Sequence, residues 1–174
     1  MKNSLIFLIL FFYSTGTLYS KNILIQSKNI SIDKNKEVSI FKSEVLAKTD
    51  ENHTVKSDYA EYDKKNGIIK FKDNTTLIDD KNNTVVTNNA EYDENSQIFK
   101  TIGFTKIITA ENYFIETADI ILNKKSKSLF SKKKTIIRDK DNNLITLDNF
   151  DYQKENKIFK SIGQIKIKDK NGNN

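Results

Sequence analysis

Apolar and polar positions along the chain recur with a period of thirty residues. Ser57-Asp58-Tyr59-Ala60-Glu61-Tyr62-Asp63 reappears as Thr87-Asn88-Asn89-Ala90-Glu91-Tyr92-Asp93. The column through the second tyrosine reads Ile32, Tyr62, Tyr92, Leu122, Tyr152. Three more columns are apolar in every repeat: Ile25, Val55, Val85, Ile115, Ile145; Ile30, Ala60, Ala90, Ile120, Phe150; and Ala47, Leu77, Ile107, Ile137, Ile167. With 37% apolar residues, a column of five arises by chance roughly 0.7% of the time, or about 0.2 columns among thirty. The repeat therefore organises the chain from about Ile25 onward, in register and without insertions.

Within each repeat the pattern predicts two antiparallel strands joined by short reversals. One set of turns is Asp63-Lys64-Lys65-Asn66-Gly67 with its equivalents at 93–97, 123–127 and 153–157. Asx side chains that bond the backbone two residues on, with Asn-Gly supplying positive φ, suit such hairpins. A second set is Asp79-Asp80-Lys81-Asn82-Asn83, matched at 139–143. Two reversals per repeat favour antiparallel strands over a parallel β-helix of the same period. The column Val45, Thr75, Thr105, Thr135, Ile165 is β-branched throughout, which also favours strand.

Strand phase predicts a bend. Val55 and Ser57 share one parity and Ala60 and Tyr62 the other, so both pairs face one side only across a bulge or corner. In the long following strand, Ile68 to Asp79, the midpoint column holds Asp73, Gly103, Lys133 and Gly163. The glycines predict a kink at 103 and 163 and leave the bend at 73 and 133 open. A sheet bent midway along its strands folds over on itself, as a jelly roll or open sandwich. The interior positions are then Val55, Tyr62, Ile69, Leu77, Val85, Tyr92, Phe99, Ile107, Ile115, Leu122, Leu129, Ile137, Ile145, Tyr152, Phe159 and Ile167. Similar groups at similar depth in every repeat make an elongated apolar trough, which can serve as core and lipid groove at once.

Composition narrows the chemistry. There is no Cys, Pro or Trp, and one histidine, His53. Disulfides, cysteine metal sites and cysteine nucleophiles are excluded, and His53, in a third polar stretch Asp50-Glu51-Asn52-His53, reads as a surface residue. No Gly-rich phosphate loop, paired-His metal motif or nucleophile elbow is present, so no catalytic residue, metal ligand or cofactor is expected. The net charge is +6, carried by scattered lysines with Arg138 the sole arginine. That argues against nucleic acid, which favours clustered and bidentate arginine, and leaves a solvated surface or a mild attraction to anionic lipid.

The N-terminus is of different composition. Lys2 precedes the apolar run Leu5-Ile6-Phe7-Leu8-Ile9-Leu10-Phe11-Phe12-Tyr13. A bilayer span needs about 20 such residues, so the run reads as the core of a secretory signal peptide over residues 1–20, cleaved after Gly16 or Ser20. No cysteine follows to carry a lipid anchor, and residues 21–174 form the exported repeat domain. The last residues, Lys170-Asn171-Gly172-Asn173-Asn174, are in phase with the turn at 140–144. A sixth strand would begin next, and the chain reads as a fragment truncated at its C-terminus.

The segments Val-x-Ser-Asp-Tyr-Ala-Glu-Tyr-Asp (55–63) and Val-x-Thr-Asn-Asn-Ala-Glu-Tyr-Asp (85–93), each followed by a charged loop and a strand, resemble the OstA-like repeat of the LptA family. This repeat builds periplasmic lipopolysaccharide-transport proteins, among them the bridge protein LptA and the N-terminal domain of the assembly protein LptD. The corner decays to Ile120-Ile121-Leu122-Asn123 and Phe150-Asp151-Tyr152-Gln153, and Gly103 and Gly163 are followed by Phe104 and Gln164 in place of the family's Asn-Val. The resemblance implies an all-β, open jelly roll of five antiparallel repeats whose interior receives lipid A acyl chains. It implies edge strands that pair with other OstA-like modules, and a periplasmic location, at the outer membrane for an LptD domain. A secreted structural or adhesive β-repeat without lipid cargo is the alternative; it differs in having a closed, dry core.

Overall fold

A computed structural model describes residues 23–49 and 52–173; the predicted signal peptide lies outside them. The described chain is all-β, with every strand pair antiparallel, in one sheet of 15 strands. Short strands β1 (Leu24–Gln26) and β2 (Asn29–Asp33) both pair with β3 (Val38–Lys48). There follow β4 (Thr54–Asp63), β5 (Ile68–Ile78), β6 (Thr84–Asp93) and β7 (Ile98–Ile108), each paired with the one before. The remaining strands are short: β8 (Phe114–Ala118), β9 (Ile121–Asn123), β10 (Ser128–Ser131), β11 (Thr135–Arg138), β12 (Leu144–Leu147), β13 (Phe150–Gln153), β14 (Ile158–Lys160) and β15 (Ile165–Lys168).

The predicted bend is present in every repeat. Pairing slips between Lys42 and Val45, Lys56 and Tyr59, Lys72 and Thr75, and Thr87 and Asn89. Each slip reverses parity, so Ser57 and Ala60 both end up inside, as do Thr87 and Ala90. From β8 on the bend breaks the strand completely: β7 pairs with β8 on one side of the corner and β9 on the other. The result is two leaves joined along a corner. The first leaf ends in β9, β10, β13 and β14; the second in β8, β11, β12 and β15.

Glycine is not required for the bend. Gly103 takes φ 84, but Asp73 (φ 61) and Asn74 (φ 49) serve the previous repeat, and Ser43 (φ 64) and Glu44 (φ 53) the one before. The bend left open at Asp73 therefore exists, and at Lys133 the chain passes between β10 and β11. Short polar side chains that bond locally tolerate the left-handed region; Asn74 Nδ2 donates to Asp58 Oδ2 at 2.6 Å across the corner.

Buried hydroxyls stitch this corner. Ser57 Oγ donates to Lys72 O at 2.7 Å, Thr75 Oγ1 to Asn88 O at 3.2 Å and Thr87 Oγ1 to Phe104 O at 3.1 Å. Further along, Thr105 Oγ1 donates to Thr101 Oγ1 at 2.8 Å, Thr135 Oγ1 to Thr117 Oγ1 at 2.9 Å and Thr117 Oγ1 to Ser131 Oγ at 3.1 Å. Where slipped pairing leaves main-chain groups without a ladder partner, side-chain hydroxyls supply one. The β-branched column thus has a second role beyond strand propensity. Thr105→Val, which keeps shape and removes both the bond to Thr101 and that to Gly103 O at 3.1 Å, is expected to cost about 1–3 kcal/mol in urea unfolding.

Candidate lipid-binding trough

Packing across the first leaf follows a volume rule. The inward row running across the paired strands reads Phe41, Ala60, Phe71, Ala90, Thr101, Ile120, Ser131, Phe150. Large and small alternate, so each aromatic ring lies over small neighbours. The alternation slips once, where Ala90 and Thr101 are adjacent. There the core divides: one cluster runs from Phe41 to Phe99, and a second is built on Ile137, Leu147 and Phe150.

All sixteen positions predicted for the interior lie on the inward parity of their strands. Val55, Ile69, Leu77, Tyr92, Phe99, Ile107 and Ile137 are buried. Tyr62, Val85, Ile115, Leu122, Leu129, Ile145 and Tyr152 are half-buried. Phe159 and Ile167 are 47% and 58% exposed, because they sit on β14 and β15, the last strands of the two leaves. At the opposite end the inward Ile30 and Ile32 are 54% and 65% exposed. The apolar row is thus uncovered at both ends of the sheet, while its middle is closed.

The closure is tight. A cavity of about 40 Å³ lies between the leaves, lined by residues of both, including Val55, Leu77, Tyr92 and Phe99. Thr49, His53 and Lys124 border it at the mouth, and the Thr49 hydroxyl is buried without a hydrogen-bond partner. His53 is half-buried, in contrast to the surface position expected, with Nε2 3.9 Å from Asp80.

Turns form the two rims of the mouth. On the first rim a backbone ladder links successive turns: Lys64 N to Glu37 O, Glu94 N to Gly67 O, Lys124 N to Gln97 O and Lys154 N to Lys127 O, at 2.9–3.0 Å. On the second, all five turns share one form, at 49–53, 79–83, 109–113, 139–143 and 169–173. Their fourth residue has positive φ: Asn52, Asn82, Asn112, Asn142, Gly172. That asparagine column was readable in the sequence and gives His53 the position in its turn that Asn83 holds one repeat later, so its polar stretch is no separate feature.

Two titration effects follow. Tyr62, desolvated by burial and donating to Glu94 Oε2 at 2.9 Å, has its pKa pushed up to about 12. Stability from this group is fully present below the ordinary tyrosine value near 10 and is lost as pH rises through the folded value. In the turns, hydrogen bonds from Asn66 and Ser96 hold Asp63 and Asp93 below the usual carboxylate range, and bonds from Asn143 and Asn173 do the same for Asp139 and Asp169. Their contribution is present above the unfolded value of about 4 and is lost as pH falls through the lower folded values. Thermal melts are therefore expected to show a falling midpoint below about pH 4 and again above about pH 10. A midpoint unchanged at acid pH would contradict the turn geometry.

No protein-family model and no curated protein matches the chain. Among solved structures it is similar to LptH, the LptA homologous periplasmic component of the lipopolysaccharide transport device from Pseudomonas aeruginosa. Identity is 9% and the TM-score 0.48, covering 84% of this chain and 94% of that one. The likeness is one of fold. The TCP10 domain of Danio rerio CPAP, solved with a STIL peptide, matches at 10% identity and a TM-score of 0.17, over 87% and 96% of the two chains. Neither neighbour bears on which residues of this chain act.

Proposed function

We propose that the chain is a non-enzymatic carrier of lipopolysaccharide across the periplasm, holding lipid A acyl chains between its two leaves. The observation that carries the reading is the continuous inward apolar row, closed in the middle and uncovered at Phe159 and Ile167 on one end and Ile30 and Ile32 on the other. Among the described residues the end strands carry exposed apolar groups, and another module of the same kind extends the sheet there by main-chain pairing. The Ala-Glu-Tyr-Asp corners at 60–63 and 90–93 support the same assignment. Acyl chains enter by parting the leaves about the hydroxyl-stitched corner, since the interior side chains of the middle strands are packed against one another. Lys124 and His53, on opposite rims, flank the mouth where a phosphorylated head would rest.

The tight interior also favours the second reading, a secreted structural or adhesive repeat with a dry core. Expression in a lipopolysaccharide-producing host and purification without detergent separates the two. The carrier reading predicts co-purified lipopolysaccharide in amounts comparable to the protein; its consistent absence supports the structural repeat.

A further inference from the structure

The outer faces of the two leaves differ in chemistry. Across the first leaf, Glu61, Lys70, Glu91 and Lys100 lie directly opposite one another in turn, and past Ile121 and Phe130 the same row continues to Asp151 and Lys160. Its charges alternate and cancel. On the second leaf the paired outward positions carry Lys48, Lys56, Lys106, Arg138, Lys166 and Lys168 against a single acid, Glu116. Glu116 is matched by Lys106 at 3.7 Å.

Within that basic surround lies an apolar patch on the side facing away from the trough. Val86 pairs with Lys106, Ile108 with Phe114, and Phe104 with Ala118. Phe104 is 60% exposed and Phe114 49%. Tyr113, in the adjoining turn, and Ile102, at the corner, are exposed beside them. An outer sheet face normally alternates to polar residues, so exposed Val86, Phe104, Ile108 and Phe114 on adjoining strands require a cause.

We propose that the outer face of the second leaf docks on an anionic phospholipid bilayer, with Phe104 and Phe114 entering the headgroup boundary and the cations around them meeting lipid phosphates. Charge complementarity carries the choice of occupant: aromatic groups on a face whose paired outward positions hold six cations and one acid, Glu116, fit a negatively charged lipid surface. The trough is not involved, because these positions have the opposite parity to every residue that lines it. Docking by this face lays the corner and mouth along the membrane and leaves both sheet ends clear.

The test is co-sedimentation of the full chain with vesicles of phosphatidylglycerol and phosphatidylcholine, and of phosphatidylcholine alone, all free of lipopolysaccharide. Residues Leu5–Tyr13 are present in every sample, so only differences between variants count. The difference between the parent and the Arg138/Lys166 variant is expected to require phosphatidylglycerol and to weaken with salt. Arg138→Gln with Lys166→Gln should lower partitioning about 25-fold, from the roughly fivefold that each cation near such a surface contributes. Phe104→Ser with Phe114→Ser should also lower it. Lys70→Gln with Lys100→Gln, the same charge change on the first leaf, should leave it within about twofold. Equal losses from the two charge pairs, an undiminished Arg138/Lys166 variant, or no binding to anionic vesicles would each overturn the proposal. The last result would mark the patch as a protein-docking face. Since the vesicles hold no lipopolysaccharide, failure here leaves the carrier function unaffected.

Discussion

Phe71→Ala is expected to lower the stability of the chain by about 3–5 kcal/mol, and Ala90→Phe, placed in the same variant, to recover a large part of it. Phe71 is 2% exposed and sits between Ala60 and Ala90 on neighbouring strands. Its removal opens a ring-sized void between two alanines that cannot fill it. Ala90→Phe alone forces a second ring against Phe71 and should cost about 1–3 kcal/mol by overpacking. Together they turn the row Phe41, Ala60, Phe71, Ala90, Thr101 into large, small, small, large, small. The slip in alternation moves back by two strands, from positions 90 and 101 to positions 60 and 71, and the later pattern of Ile120 and Phe150 against Thr101 and Ser131 begins earlier. Urea unfolding of the four proteins should therefore give a coupling of about 2 kcal/mol or more in favour of the double variant. Simple additivity would mean that volume alternation does not organise the first leaf.

A charge inside the trough should abolish lipid capture where a charge change outside it does not. Phe99 is buried opposite Tyr92 and Leu122, and Ile107 opposite Val85 and Ile115. Phe99→Asp or Ile107→Lys puts an unpaired charge where acyl chains would lie, and co-purified lipopolysaccharide is expected to fall at least about tenfold. Lys106→Ala, one residue away on the opposite face, should change it by less than about twofold. Because a buried charge can also unfold the chain, Ile115→Lys serves as the second variant. Its half-buried position lets the lysine stem follow apolar surface while the ammonium reaches water. Ile115→Lys should keep the circular dichroism spectrum of the parent and still lose lipid.

The repeat made the strands and the bend legible, because both rest on parity. Ser57 and Ala60 cannot share a side in an unbroken strand, and the structure resolves the conflict with a pairing slip between Lys56 and Tyr59. What glycine predicts is narrower than what the backbone does: Asp73-Asn74 and Ser43-Glu44 reach positive φ without it. The asparagines at 52, 82, 112 and 142 were a readable signal for a uniform second turn, obscured because Thr49 and His53, and Thr109 and Tyr113, replace the Asx residues that flank it at 79–83, 139–143 and 169–173. The hydroxyl bonds of Thr75 and Thr135 were not readable, since Asn88 O and Thr117 Oγ1 lie on neighbouring strands. Depth was legible only in part. Phe99 and Phe159 occupy one column, yet one is buried and the other exposed, and position within the sheet, not residue type, separates them.

Site-specific photo-crosslinking tests the central claim most directly. A photoreactive residue placed at Tyr92 or Ile107, both inward, and at Lys100, outward on the first leaf, is irradiated in cells that make lipopolysaccharide. Lipopolysaccharide adducts are expected at the two inward positions and none at Lys100. Adducts at Lys100 alone, or at no position in cells where the chain is folded and exported, would contradict a lipid path between the leaves.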